Sequence, residues 1–131
     1  MGFALLLRAL PRASLGSVPQ RVLIVDDDAA FRDVARALLS TSGYVIAAAI
    51  GTAAEARHAI EALQPDGLLL DVNLPDGDGV ALAAELRAAH PDVRMLLTSS
   101  DWEAAPRGGT PPFVAKTELA RTDLTPFLGK P

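Results

Sequence analysis

Five side chains able to do chemistry each stand at the end of an apolar run: Asp26 and Asp27 after "RVLIV", Asp71 after "GLLL", Thr98 after "RMLL" and Lys116 after "PFVA". An acid placed where burial meets solvent is either a cap for the next turn or a reactive group mounted on a rigid scaffold. Brought together, Asp26, Asp27 and Asp71 would crowd like charges, which raises a pKa or requires a cation. A hard divalent ion with oxygen ligands removes the repulsion; Mg2+ fits best, with Mn2+ as the alternative. A carboxylate beside such an ion can attack a phosphoryl group. The Thr98 hydroxyl and the Lys116 ammonium can then hold the phosphoryl oxygens. Lysine is scarce here, Lys116 and Lys130 standing against ten arginines. A lysine after an apolar strand in such a chain points to a need for a compact charge rather than a planar fork.

These residues meet only if the elements behind them do. The apolar runs are Val22–Val25, Tyr44–Ile50, Leu68–Leu70, Val93–Leu97 and Pro112–Ala115. Between them, Phe31, Val34, Ala35, Leu38 and Leu39 follow the spacing of one helix face. Thr52 and Glu55 make a capping box before Ala56, Ala59, Ile60 and Leu63. Asp78 can cap a third helix that stops at His90-Pro91, and a shorter helix can begin at Thr117. Strand and helix alternate, which predicts an α/β fold with a parallel sheet covered on both faces. Right-handed crossovers favour the flavodoxin-like, doubly wound five-stranded order 2-1-3-4-5. Ligands in such sheets sit beyond the carboxyl ends of the strands, at the switch point between strands one and three. The four polar-tipped strands are then contiguous, and the second, ending in Ile50 and Gly51, lies at the edge.

The stretches "RVLIVDDD", "LLLDVNLPDGDG", "LLTSS" and "FVAK" resemble the motifs of the response regulator receiver domain of two-component signalling, over nearly everything from Arg21 to about Leu128. The resemblance implies that Asp71 is the phosphoacceptor and that Asp26 and Asp27 bind Mg2+, with the Asn73 backbone carbonyl as a further ligand. It makes Thr98 the switch hydroxyl, Lys116 the site lysine and Phe113 the rotating aromatic of the switch. Asn73 and Ser100 occupy positions that tune phosphoryl lifetime in this family. The implied donor is a histidine kinase or phosphotransfer protein, and the implied output is a protein contact, with a homodimer as one form of it. Such a domain is a cytoplasmic signalling phosphoacceptor rather than an enzyme; its chemistry is limited to self-phosphorylation and slow autodephosphorylation.

Other classes fit less well. The 131 residues suit one domain, and the net charge of −4 argues against a nucleic-acid footprint, which needs a basic face. Cysteine is absent, so disulfides and thiolate metal sites are excluded. Near the N-terminus the run Leu5–Leu7 is too short to span a bilayer and meets Arg8, so no membrane partner is expected. Residues 1–20 read as a poorly ordered extension ahead of a domain at 21–131. Asp28 reads as the N-cap of the first helix, and Asp76 and Asp78 as turn and cap residues. "DVNLPDGDG" is no calcium loop, because Asp76 stands where glycine is needed and Leu82 where the final glutamate is needed. A dehalogenase-type hydrolase would use the first Asp of D-x-D-x-T or D-x-D-x-V after strand one. Asp26 and Asp28 fit that spacing, but Ala30 replaces the Thr or Val, and there is no room for a cap domain. A docking module that is never phosphorylated would not need Asp27, Asp71, Thr98 and Lys116 together.

One segment departs from the family. Between Thr98 and Lys116 the chain is shorter than usual by about one helical turn. Pro106, Gly108, Gly109, Pro111 and Pro112 oppose a full fourth helix, which is expected to be shortened or absent. Thr117 replaces the proline common after the family's lysine, and Pro126 curtails the last helix. The chain ends at Pro131, so a stand-alone receiver is expected. With little helix between Trp102 and Thr110, amides there should exchange quickly with deuterated water and change most on adding beryllofluoride and Mg2+. Helix-like protection across that stretch in the free protein is the contrary result.

Overall fold

The computed structural model describes residues 19–106 and 111–131. Most of the expected N-terminal extension, and residues 107–110 of the shortened segment, lie outside the described residues. The elements run β1 (Arg21–Val25), α1 (Ala29–Thr41), β2 (Val45–Ile50), α2 (Ala53–Leu63) and β3 (Gly67–Asp71). A short hairpin follows, β4 (Asn73–Leu74) and β5 (Gly77–Asp78), and then α3 (Gly79–Ala89), β6 (Arg94–Ser99) and β7 (Phe113–Ala115). A single-turn helix, α4 (Thr125–Leu128), closes the order.

The main sheet is β2-β1-β3-β6-β7 with every pair parallel. Setting the β4–β5 hairpin aside, this is the expected 2-1-3-4-5 order. Side chains on a strand point alternately to opposite faces, and the apolar runs use both. Leu23, Val25, Leu68, Leu70, Met95 and Leu97 pack beneath α2 and α3. Val22, Ile24, Leu69, Leu96 and Val114 face the other way, onto Ala35 and Leu39 of α1 and onto Leu119, Leu124 and Leu128. Continuous apolar strands are the consequence of two covered faces. Each fully buried Leu or Ile contributes about 1.5–3 kcal/mol.

Several local expectations change. Val34 is 61% exposed, so α1 buries a narrower stripe than its spacing suggested, fully enclosing only Ala35 and Leu39. The shorter helix expected from Thr117 is a 3-10 segment, Lys116–Arg121. Pro126 lies in the first turn of α4, where its missing N–H costs nothing. The expected shortening of the fourth helix is seen as one 3-10 turn, Trp102–Ala104, among the described residues. Tyr44 falls just before β2, buried, and donates its hydroxyl to the Gly129 carbonyl at 2.6 Å. That bond ties the C-terminal segment to the end of α1.

The loop after β3 is more tightly held than turn chemistry alone implies. Asp78 caps α3 as expected, accepting from the Val80 N–H. Asp76, read from sequence as a local turn or cap residue, instead accepts from the Ala53 and Ala54 N–H groups at 2.7 and 3.0 Å. It thus caps α2 across space, beside Thr52, whose hydroxyl accepts from the Glu55 N–H at 3.1 Å. These two backbone donors hold the Asp76 carboxyl below the usual carboxylate range. Gly79 donates its N–H to the Val72 carbonyl at 2.8 Å, and a Cβ on it would lie 2.2 Å from the Asp71 carbonyl oxygen. Gly79→Ala should therefore push α3 off the end of β3 and cost about 1–3 kcal/mol. Urea denaturation should show this as a lowered midpoint; an unchanged midpoint would mean that the loop can yield.

Candidate functional site

Parallel strands present their carboxyl ends on one side, and the register brings the polar tips level there. Asp71 on β3 pairs with Thr98 on β6, and Ser99 pairs with Ala115, one residue before Lys116. Asp26 and Asp27 follow β1 directly, and the Asp26 N–H bonds the Ile50 carbonyl of β2. Asp26, Asp71 and Thr98 are only 1%, 4% and 1% exposed, whereas Asp27 is open to solvent. Ligand oxygens of Asp26, Asp27 and Asp71 lie within 4.8 Å of one another.

A lysine faces them. Lys116 Nζ stands 2.7 Å from Asp26 Oδ2 and 3.4 Å from Asp71 Oδ2. The first contact is short enough for a charge-assisted hydrogen bond and serves the buried Asp26 Oδ2, whereas the buried Thr98 Oγ1 has no hydrogen-bond partner. Backbone donors serve the other oxygens: the Asp28 N–H reaches Asp26 Oδ1 at 2.9 Å, and the Asn73 N–H reaches Asp71 Oδ1 at 3.1 Å. Burial pushes the Asp71 carboxyl above its ordinary value; the Asn73 N–H opposes this, Asp26 adds to it, and Lys116 only partly offsets it. Burial alone would lower the Lys116 ammonium, but Asp26 and then Asp71 outweigh it and raise the pKa. Three carboxylates converging within one crevice, beside a buried hydroxyl with no partner, form an all-oxygen cluster that fits a hard divalent cation.

The remaining expected residues take definite places. Asn73 opens β4, exposed, and its side-chain amide donates to the buried Ser99 hydroxyl at 3.3 Å. Phe113 opens β7 opposite Leu97, half-buried against the α2–α3 side of the core. Ser100 is exposed just beyond β6. Asp28 is turned away from the cluster and caps α1, accepting from the Ala30 and Phe31 N–H groups; it therefore does not supply the second acid that a hydrolase would need. Two neighbours went unassigned in the sequence. The Phe31 ring, counted there as helix packing, lies with its centroid 4.3 Å from Lys116 Nζ. Arg32 donates from Nη1 to the Asp26 carbonyl at 2.7 Å. Both belong to the turn that follows the acid pair, and that position was the signal that could have found them.

Comparison with known proteins agrees with this fold. Residues 22–110 match the model of the response regulator receiver domain. A protein-glutamate methylesterase/protein-glutamine glutaminase of Anaeromyxobacter dehalogenans is 35% identical over 91 residues, covering 69% of this chain and 27% of that protein. The response regulator MprA of Mycolicibacterium vanbaalenii is 39% identical over 88 residues, covering 64% of this chain and 36% of its own. A solved receiver domain protein from Methanospirillum hungatei, described as CheY-like, superimposes with a TM-score of 0.65 at 28% identity, covering 76% of this chain and 82% of that one. The chain belongs to the response regulator receiver domain family of two-component signalling. It spans about a quarter to a third of the length of these two curated relatives. No helix among the described residues is long and apolar enough to cross a membrane.

The raised Asp71 pKa has a definite sign in stability. The folded protein holds that proton more tightly than the unfolded chain does. Ionisation therefore costs stability as pH rises from the ordinary carboxylate range through the raised folded value, and the loss persists above it. Asp71→Asn keeps the shape without the charge. It should melt at a higher temperature than wild type near neutral pH, with the gap closing as pH falls below the ordinary carboxylate range. A variant less stable than wild type at neutral pH would show that the Lys116 attraction dominates.

Proposed function

We propose that this chain accepts a phosphoryl group on Asp71 from a histidine kinase or phosphotransfer protein and uses it to switch contact with a downstream protein. The observation that carries this reading is the convergence of Asp26, Asp27 and Asp71 on one crevice with Lys116 spanning Asp26 and Asp71. A carboxylate oxygen of Asp71 forms the new bond to phosphorus. The bond from phosphorus to the donor nitrogen or oxygen breaks, and its electron pair stays with the donor. The carboxylates of Asp26, Asp27 and Asp71 and the Asn73 backbone carbonyl would hold Mg2+, or Mn2+ in its place; once bound, the ion neutralises charge on the carboxylates and on the transferring group. Lys116 is positioned to accompany the added charge on Asp71. The Thr98 hydroxyl, buried beside Asp71 in the paired strand without a directed partner, is available to donate to a phosphoryl oxygen.

Thr98 and Phe113 lie on adjacent paired strands, which supports a switch in which movement at Thr98 is passed to the Phe113 ring. With a 3-10 turn at Trp102–Ala104 as the helical part of the described residues there, the change is read as ordering or release of the Trp102–Thr110 segment rather than the shift of a formed helix. This reading takes 21–131 as the receiver unit and places it in the cytoplasm, where its donor and protein target, or a second copy of itself, would be met. Neither nucleic acid nor a membrane is a partner in it.

The test is direct. Incubation with Mg2+ and acetyl phosphate should add one phosphoryl group, roughly 80 Da by mass and labile in base as an acyl phosphate. Asp71→Asn should abolish the addition. Modification that persists in that variant, or that maps to Asp26, would favour a hydrolase instead.

A further inference from the structure

Lys116 has three N–H donors, and the two carboxylates do not account for all of its surroundings. Its side chain is only 13% exposed, so little water reaches the ammonium. The Phe31 ring face stands 4.3 Å away, well inside the range in which an aromatic face attracts a cation. That ring is held firmly. Phe31 lies in the first turn of α1, its N–H is bonded to the Asp28 cap, and it packs against the second core cluster. The ring and the acid pair thus come from one short stretch of chain and share one frame.

We propose that Phe31 is a positioning residue for phosphoryl binding: its ring face holds the Lys116 ammonium within reach of Asp71 when Asp26 is occupied by a cation. The proposal rests on the phosphoacceptor reading above. At rest the ammonium leans toward Asp26, at 2.7 Å, rather than toward Asp71, at 3.4 Å. A divalent ion on the acid pair removes much of the charge that draws Lys116 to Asp26. An uncharged ring is unaffected by that ion and does not compete with it for oxygen ligands. The ring attraction therefore persists through metal loading, and leaves the ammonium free to turn to the phosphoryl oxygens.

The experiment uses the full chain and two probes, Mg2+ alone and Mg2+ with beryllofluoride, titrated into wild type and three variants. Phe31→Leu and Phe31→Met keep apolar bulk without the π face; Phe31→Tyr keeps the ring. Loss of the ring should weaken beryllofluoride binding roughly two- to thirty-fold while Mg2+ affinity stays within about twofold, and Phe31→Tyr should bind near wild type. In the metal-free protein, ring-current shifts of the Lys116 ε-methylene protons should be present in wild type and Phe31→Tyr and absent in the other two. Wild-type beryllofluoride affinity in Phe31→Leu and Phe31→Met overturns the proposal. So does a parallel loss of Mg2+ affinity, which would mean a disturbed site, or a failure of tyrosine to rescue. A wild type that binds Mg2+ but not beryllofluoride overturns the phosphoacceptor reading itself, an outcome distinct from a ring without effect.

Discussion

Two buried carboxylates held against a single ammonium are the constraint around which the rest of this molecule is arranged. Taking Asp26 and Asp71 out of water is costly unless each oxygen finds a donor or a counter-charge. The backbone supplies part of this through the Asp28 and Asn73 N–H groups, and Lys116 supplies an ammonium to both. The like charges cannot simply spread apart, because β1 and β3 are neighbouring strands buried almost along their whole length. A rigid scaffold thus maintains an electrostatic shortage. That shortage suits a hard cation.

The two-faced core is what allows this. Because β1, β3 and β6 are covered on both sides, their ends are set by packing and not by the loops that follow. On one face two regular helices do the covering. On the other, α1 shares the work with the irregular tail through Leu119, Leu124 and Leu128. The Tyr44–Gly129 bond also anchors that tail.

What was legible in the sequence follows from the range of each interaction. Continuous runs such as "GLLLD" could be recognised as enclosed strands because burial on both faces removes the polar alternation. The topology then brought Asp26, Asp27, Asp71, Thr98 and Lys116 to one edge without knowledge of any contact. Features that depend on distant partners were not legible. Asp76 has the local chemistry of a turn, and only the approach of α2 makes it a cap for another helix. Val34 has the right spacing for the core, but the stripe that α1 buries is centred on Ala35 and Leu39 and leaves it outside. Phe31 looked like ordinary packing, since nothing local shows that a lysine eighty-five positions later (Lys116) reaches its face. The β4–β5 hairpin is too short for periodicity to register.

The loop between Asp71 and α3 carries a consequence for how this chain can vary. Surface loops usually tolerate insertions and deletions, since closing a longer loop adds little entropy. This one is pinned at three places: Gly79 to Val72, Asp78 to the start of α3, and Asp76 to the start of α2. Adding or removing one residue would put at least one of these out of reach and uncap a helix. Its length is therefore as fixed as that of a core strand, although most of its side chains are exposed. Among the described residues beyond Ser100, no comparable set of caps binds the backbone to two helices at once.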